Sequence, residues 1–117
     1  KIQPDRVYIP NPSYNQDHKE VYDAALIALR PHDINFFVKK ILTYEQPQDF
    51  WLSGRPQFNP NYFIPIDIAK KISLYEKMNS QLRGHRSVKH VKTIAELRGM
   101  QSNNKYAEAF EILRWLE

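Results

Sequence analysis

The chain has 117 residues, of which 42% are hydrophobic and 26% charged, with a net charge of +4 and no cysteine. These values predict a single domain or part-domain over residues 1–117, and they exclude a disulfide scaffold and a thiolate metal site. Any metal must therefore be held by histidine and carboxylate side chains.

The first predicted elements are a short strand and a helix. Residues 5–9 alternate polar with apolar side chains, which is typical of a strand. Pro12 ends this strand, because proline cannot donate a hydrogen bond to a sheet. A helix then opens near Asn15 or Asp17, both of which are good N-cap residues, and Pro31 stops it.

His18 lies in the first turn of this predicted helix. Its spacing to Val21, Tyr22 and Ala25 places it on the same stripe as the apolar residues that face the core. Because it is in the first turn, we expect its ring to emerge at the edge of the core, where it can point into a cleft. From the spacing alone, a capping or packing role explains His18 better than a metal-binding role does.

Two more strands and a long connection follow. Residues 35–44 are rich in aromatic and β-branched types, and residues 62–66 form a third strand in which Pro65 indicates an edge position. The connection over residues 46–61 is long enough to suggest a functional loop. Its aromatic side chains, which either anchor on the protein surface or a partner or contact a ligand, are Phe50, Trp51 and Phe58.

The next two helices have clear start and stop signals. Asp67 is placed to cap a helix over residues 68–82, which Gly84 ends. Ser87 is placed to cap a third helix, which Gly99 ends.

A fourth helix is predicted at the end of the chain. Asn103 or Asn104 caps it, and Tyr106, Phe110 and Leu113 form its apolar stripe. The resulting order of about three strands and four helices predicts an α/β fold, namely the C-terminal portion of a Rossmann-like three-layer architecture. Three short strands make a thin sheet, so we expect the helices to pack on strands that this chain does not contain.

Asn15-Gln16-Asp17-His18 resembles the second metal motif of the PIG-L/LmbE-like de-N-acetylases, which are zinc hydrolases. The family commonly runs from this motif into an alanine-rich helix that ends in Leu-Arg-Pro, as this chain does. Further pieces similar to the family follow in order, so that the likeness covers nearly the whole chain. They are Ala24–Pro31, Tyr44-Glu45, Asn61–Ile68, Ser80–Arg83, Leu97–Gly99 and Tyr106–Phe110.

The resemblance covers only the C-terminal half of that family. The N-terminal hallmark, a His-Pro-Asp-Asp-Glu type motif, occurs nowhere in this sequence. In the family it supplies two zinc ligands and the general base, and the third zinc ligand is the histidine that His18 matches. The resemblance therefore implies removal of acetyl groups from N-acetylglucosamine-type substrates. It also implies that this chain alone is incomplete and inactive.

Two neighbours of His18 have roles implied by the same resemblance. Asp17 matches an aspartate that supports the neighbouring polar group and the geometry of the site. Asn15 stands where some members have a histidine that stabilises the oxyanion. Asparagine can donate a hydrogen bond but cannot supply a proton, so Asn15 cannot act as a general acid as a histidine can.

The substrate-side candidates are less closely tied to the motif. Ser13 and Tyr14 lie on the loop directly before His18. Tyr44 ends a predicted strand, where it either faces the site or packs. Arg83 either meets a phosphate or sugar at the rim of a cleft or belongs to a solvated basic turn.

Three function hypotheses remain open. The first is a zinc-dependent N-deacetylase that acts on an amino-sugar substrate, with the missing part of the site upstream or on a second chain. The second is a non-catalytic interaction module derived from the same fold, and a homo-oligomer is compatible with either. A nucleic-acid binder comes last because the densest basic cluster, residues 83–92, has no interleaved aromatic residues.

The same sequence carries expectations about location. No apolar run approaches the ~20 residues that a membrane-spanning helix requires. No secretion-signal pattern is present. The cytoplasm is taken as the default compartment. Because the chain starts with Lys1 directly before a strand, we expect it to be a piece of a longer polypeptide.

Overall fold

A computed structural model describes residues 2–32, 36–51 and 58–117 of the chain. In these ranges the chain forms a mixed α/β structure with a four-stranded sheet and three α-helices. The strands are β1 (Arg6–Pro10), β2 (Lys40–Tyr44), β3 (Tyr62–Pro65) and β4 (Ala107–Trp115). The helices are α1 (Gln16–Ala28), α2 (Ile68–Glu76) and α3 (Val88–Gln101). Short 3₁₀ helices lie at Pro47–Trp51, Asn79–Gln81 and Gly84–Arg86.

The sheet has the strand order β1-β2-β4-β3. β1 and β2 are parallel and are connected by α1, whereas β4 runs antiparallel to both β2 and β3. Among the described residues β3 therefore lies at an edge of the sheet, as Pro65 predicted. β1 forms the other edge of the sheet within the described residues. The carboxyl ends of the parallel pair lie side by side, because Pro10 is in register with Tyr44.

The two faces of the sheet are covered by different helices. On one face, Ile9 and Ile41 form a buried core with Val38, against which Tyr22 and Leu29 pack. On the other face, where strand alternation places Tyr8 and Tyr44, α3 packs along β4 and α2 packs on α3. Contrary to the expectation from the sequence, α1 and α3 thus pack on strands of this chain.

Each α-helix begins at a predicted capping residue. Asn15 Oδ1 accepts the Asp17 N–H at 3.0 Å, so that Asn15 rather than Asp17 is the N-cap of α1. Asp67 Oδ1 accepts the N–H groups of the second and third residues of α2. Ser87 accepts the His90 N–H at the start of α3. These side chains satisfy donors that the first helical turn leaves open.

The predicted fourth helix is instead the strand β4. Phe110 is in register with Tyr44 on one side and Tyr62 on the other, so β4 joins β2 to β3. Leu113, which belonged to the predicted helical stripe, is 38% exposed. Pairing with strands far away in sequence outweighs the local helical period here. The predicted count of about three strands and four helices was therefore wrong.

Other boundaries also differ from the prediction. β2 begins at Lys40 rather than at Asn35, which lies outside the described residues, and α2 ends at Glu76 rather than Leu82. Gly84 opens a 3₁₀ helix at φ +52° instead of closing α2. Gly99 does not end α3; a Cβ there would come within 2.5 Å of the Lys105 carbonyl oxygen, so Gly99 permits a close backbone approach.

Candidate functional site

The sequence motif lies at the carboxyl ends of β1 and β2. Asn11, the residue after β1, is buried and donates its backbone N–H to the Tyr44 carbonyl at 2.9 Å. This bond continues the parallel pairing one residue beyond the strands. The chain then turns through Pro12 to Asn15 and enters α1. In an open α/β sheet this edge is where ligands commonly bind.

Ser13 joins the loop to the first turn of α1. Its Oγ lies 3.2 Å from His18 Nδ1 and accepts the Asn15 N–H at 3.1 Å. His18 is half-buried, and its Nε2 has no hydrogen-bond partner within the part of the chain that the structure describes. One ring nitrogen is thus held by the loop, which leaves the other available for chemistry.

Asp49 joins this group, although the sequence reasoning missed it. It lies in the 3₁₀ helix Pro47–Trp51, is only 8% exposed, and accepts the Gln46 N–H through Oδ2 at 3.1 Å. Burial raises the pKa of Asp49, while the Gln46 N–H and the nearby His18 lower it. The local signal was present, since proline at the first helical position and an acid two residues later are typical of a helix start.

The two carboxylate oxygens of Asp49 differ in their hydrogen bonding. Oδ1 is buried and has no hydrogen-bond partner among the residues described. The Ser13 side chain is close enough to lower the pKa of Asp49, but the contact does not meet hydrogen-bond geometry. Ser13 is therefore a neighbour of the Asp49 carboxylate and not its hydrogen-bond partner.

Glu45 faces α3 rather than His18. It accepts two hydrogen bonds from Arg98, at 2.8 Å from Nε and 2.5 Å from Nη2. The Arg98 guanidinium also lies 5.8 Å from the Phe50 ring and 5.6 Å from the Phe58 ring. These two loop aromatics therefore pack on the protein's own surface, while the Trp51 side chain and residues 52–57 lie outside the described part.

A cavity of about 540 Å³ lies on the sheet face that carries α3. Tyr8, Tyr44 and Phe110 form its floor, and Ile94 and Ala95 of α3 are on its wall. Ser13, His18 and Asp49 do not line it. Tyr44, a predicted substrate residue, thus belongs to this cavity and not to the group around His18.

The remaining predicted residues lie nearer the surface. Asp17 is exposed in the first turn of α1, and Tyr14 is 62% exposed on the loop before it. Arg83 is exposed and precedes the 3₁₀ helix Gly84–Arg86, which packs against the one that carries Asp49. Of the predicted site residues, the structure therefore brings Ser13 into contact with both Asn15 and His18.

A complete metal site is not found in the described ranges. Residues 2–32, 36–51 and 58–117 contain no group of three or more histidine, aspartate or glutamate side chains placed to hold a metal ion. None of the helices in these ranges is long and apolar enough to cross a bilayer.

Comparisons with known proteins identify the fold but no family. No protein-family model matches the chain, and no curated protein matches it. The chain is similar to a solved structure, that of the conserved protein TT1542 from Thermus thermophilus, with a TM-score of 0.74 and 20% sequence identity. The match covers 97% of this chain and 53% of that one, so this chain spans about half the length of that protein.

Proposed function

We propose that this chain is the C-terminal portion of a Rossmann-like, zinc-dependent de-N-acetylase, in which His18 supplies one zinc ligand. The observation that carries the proposal is the setting of the His18 ring. It lies beyond the carboxyl ends of two parallel strands, Nδ1 contacts Ser13 Oγ at 3.2 Å, and Nε2 has no partner in the described segments. A metal-bound histidine is typically held in this way through its second nitrogen.

The topology supports an incomplete site. β1, α1 and β2 form a parallel unit of the kind that builds Rossmann-like sheets. β1 has a strand partner on one side among the described residues, so its other side offers an unpaired ladder for a further strand. The similar solved structure is about twice as long as this chain. We therefore infer that a segment upstream, or on a second chain, brings the other two ligands and the general base.

The chemistry needs few groups from this chain. When bound, zinc lowers the pKa of its water towards ~7 and polarises the acetyl carbonyl. His18 binds through a neutral nitrogen, and Asn15 anchors the start of α1 through Oδ1 while its amide N–H groups are suited to donate to an oxyanion. Tyr14 and Arg83, both exposed, are the candidates for contact with an amino-sugar substrate.

Zinc binding in the completed protein tests this proposal. Chain 1–117 joined to its upstream or partner segment should bind zinc and release acetate from an N-acetylglucosamine-type substrate. His18→Gln should abolish both activities, since one of three ligands is lost. His32→Gln, which changes an exposed histidine, is the matched control and should leave both unchanged.

Two results would contradict separate parts of this proposal. One is full zinc-dependent deacetylation by residues 1–117 alone, because a single histidine cannot hold a catalytic zinc. The other is unchanged zinc affinity in the His18→Gln variant. The first result would show that no further segment is needed, and the second would show that His18 is not a zinc ligand.

A non-catalytic interaction module is the second candidate. The observation that favours it is the cavity of about 540 Å³, whose floor of Tyr8, Tyr44 and Phe110 lies away from His18. The His18→Gln variant of such a module would still bind the partner, whereas Tyr8→Ala, at a position that is 42% exposed, would weaken binding. Association of the chain with itself, measured by sedimentation equilibrium, would identify the partner as a second copy.

A further inference from the structure

The hydrogen bonds of the Ser13 hydroxyl constrain the His18 ring. A serine hydroxyl has one proton and two lone pairs. The Asn15 N–H donates a hydrogen bond to one of these lone pairs, with 3.1 Å between Asn15 N and Ser13 Oγ. His18 Nδ1, at 3.2 Å, then either receives the hydroxyl proton or donates its own proton to the second lone pair. The first arrangement places the ring proton on Nε2, and the second places it on Nδ1.

Asp49 decides between these arrangements. Its carboxylate is 8% exposed, Oδ2 is occupied by the Gln46 N–H, and Oδ1 has no partner in the described structure. A buried acceptor without a partner costs roughly 1–3 kcal/mol, and more when it is charged. The Ser13 hydroxyl lies close to this carboxylate and has a proton to donate. A hydroxyl that turns its proton towards Oδ1 removes this cost and leaves its second lone pair for His18.

We propose that Asp49 is a positioning residue for His18. It accepts a hydrogen bond from the Ser13 hydroxyl, and Ser13 in turn accepts the Nδ1–H of His18. The Nε2 atom of His18 then keeps its lone pair. Closing the Ser13–Asp49 contact requires a side-chain adjustment, and no covalent bond is made or broken in this arrangement. The relay connects the 3₁₀ helix Pro47–Trp51 to the first turn of α1. The part of the inference that concerns zinc rests on the proposed function, whereas the position of the ring proton does not.

Nitrogen-15 NMR of the metal-free chain tests the inference, because the two ring nitrogens differ in chemical shift according to which one carries the proton. The spectrum is recorded well above the ordinary histidine pKa of about 6.5, so that the ring is neutral. His18→Gln identifies the His18 signals. We expect the wild-type ring to carry its proton on Nδ1.

Asp49→Asn should reverse the tautomer. The asparagine oxygen must still accept the Gln46 N–H, so its NH₂ group faces Ser13 and donates to Oγ. Ser13 then donates its hydroxyl hydrogen bond to His18 Nδ1, and the ring proton resides on Nε2. Asp23→Asn, which makes the same change at an exposed position on α1, should leave the tautomer as in the wild type.

Two Ser13 variants provide a second test, which does not require the Asp49→Asn variant to fold. Ser13→Ala should lose the preference for Nδ1–H, and Ser13→Thr, which retains the hydroxyl, should restore it. A wild-type ring protonated on Nε2 would overturn the inference. So would a folded Asp49→Asn or Ser13→Ala variant with the wild-type tautomer.

Zinc affinity of the completed protein separates this inference from the proposed function. We expect Asp49→Asn to weaken zinc binding roughly 10–100-fold, as is usual when the group that orients a metal-bound histidine is lost. If the tautomer follows the expectation but His18→Gln leaves zinc binding unchanged, the zinc proposal fails and the orienting role of Asp49 stands. If zinc binding requires His18 but its ring proton lies on Nε2 without metal, the relay is wrong and the zinc proposal stands.

Discussion

Arg98 of α3 and Glu45 at the end of β2 form a buried, two-point ion pair whose side chains are 8% and 10% exposed. The pair joins the helix to the carboxyl edge of the sheet, two residues before the start of the 3₁₀ helix that carries Asp49. The position of Asp49 therefore depends on a contact between residues that lie 53 positions apart.

Breaking this pair should destabilise the protein strongly. Arg98→Met leaves the Glu45 carboxylate buried without its partner, and we expect the free energy of unfolding to fall by about 3–5 kcal/mol in urea denaturation. Lys71→Met is the control, because the Lys71–Glu108 pair is 32% and 39% exposed and should contribute less than about 1 kcal/mol. Adding Glu45→Gln to Arg98→Met should recover part of the loss. Equal losses of stability in Arg98→Met and Lys71→Met would contradict the conclusion that the Arg98–Glu45 pair is the more buried of the two.

Phe110 and Leu113 distinguish the observed strand from the helix that the sequence pattern favoured. Phe110 is 8% exposed between β2 and β3, whereas Leu113 is 38% exposed. Phe110→Ala should cost about 3–5 kcal/mol of unfolding free energy, because it opens a cavity in the core. Leu113→Ala should cost less than about 1 kcal/mol, as expected at a partly exposed position. Similar losses at both positions would favour the helical stripe instead.

Gly99→Ala should destabilise the protein even though alanine favours helices. The new Cβ would lie 2.5 Å from the Lys105 carbonyl oxygen and 2.7 Å from that of Asn104. Overpacking of this kind costs about 1–3 kcal/mol, against a gain of up to about 1 kcal/mol in helix propensity. Met100→Ala, at a 74% exposed position in the same helix, should change stability by no more than about 0.5 kcal/mol. A more stable Gly99→Ala variant in thermal unfolding would disprove this close approach.

Tyr75 should make stability depend on pH under alkaline conditions. Burial raises the pKa of its hydroxyl, with a smaller opposing effect from Arg86, and the hydroxyl donates to the Arg86 carbonyl at 2.8 Å. The folded protein therefore keeps a proton that the unfolded chain loses near pH ~10. This contribution is complete below about pH 10 and is lost as the pH rises through the folded-state pKa.

The Tyr75→Phe variant isolates this contribution. Its stability near neutral pH should be lower by about 1 kcal/mol, because the hydrogen bond to the Arg86 carbonyl is lost. Above about pH 10 the difference from the wild type should shrink, as measured by urea unfolding at a series of pH values. A difference that stays constant or grows with pH would show that the Tyr75 pKa is not raised by folding.

The helix starts could be predicted from sequence because N-cap hydrogen bonds join residues that are close in the chain. Asn15, Asp67 and Ser87 each cap a helix through a bond to an N–H two or three residues away, so the signal lies within one turn. Pro65 likewise marked an edge strand, because a residue without an N–H cannot pair on both sides.

The features that were predicted wrongly or missed depend on contacts between residues that are distant in sequence. β4 is a strand because it pairs with the edges of both β2 and β3. A local window of sequence cannot reveal this pairing. Asp49 was missed for a related reason. Its capping signal is local, but its burial beside Ser13 and His18 exists only after β1 and β2 have aligned their carboxyl ends.

The place of β4 in the sheet has a consequence for biosynthesis. β2 and β3 do not pair with each other in the described structure, and β4, which joins them, is translated after both. As the chain leaves the ribosome, the edges of β2 and β3 that face β4 remain without their partner until residues 107–115 have emerged. Nascent chains that stall before this point would expose open strand edges, which makes them targets for chaperones and prone to aggregation.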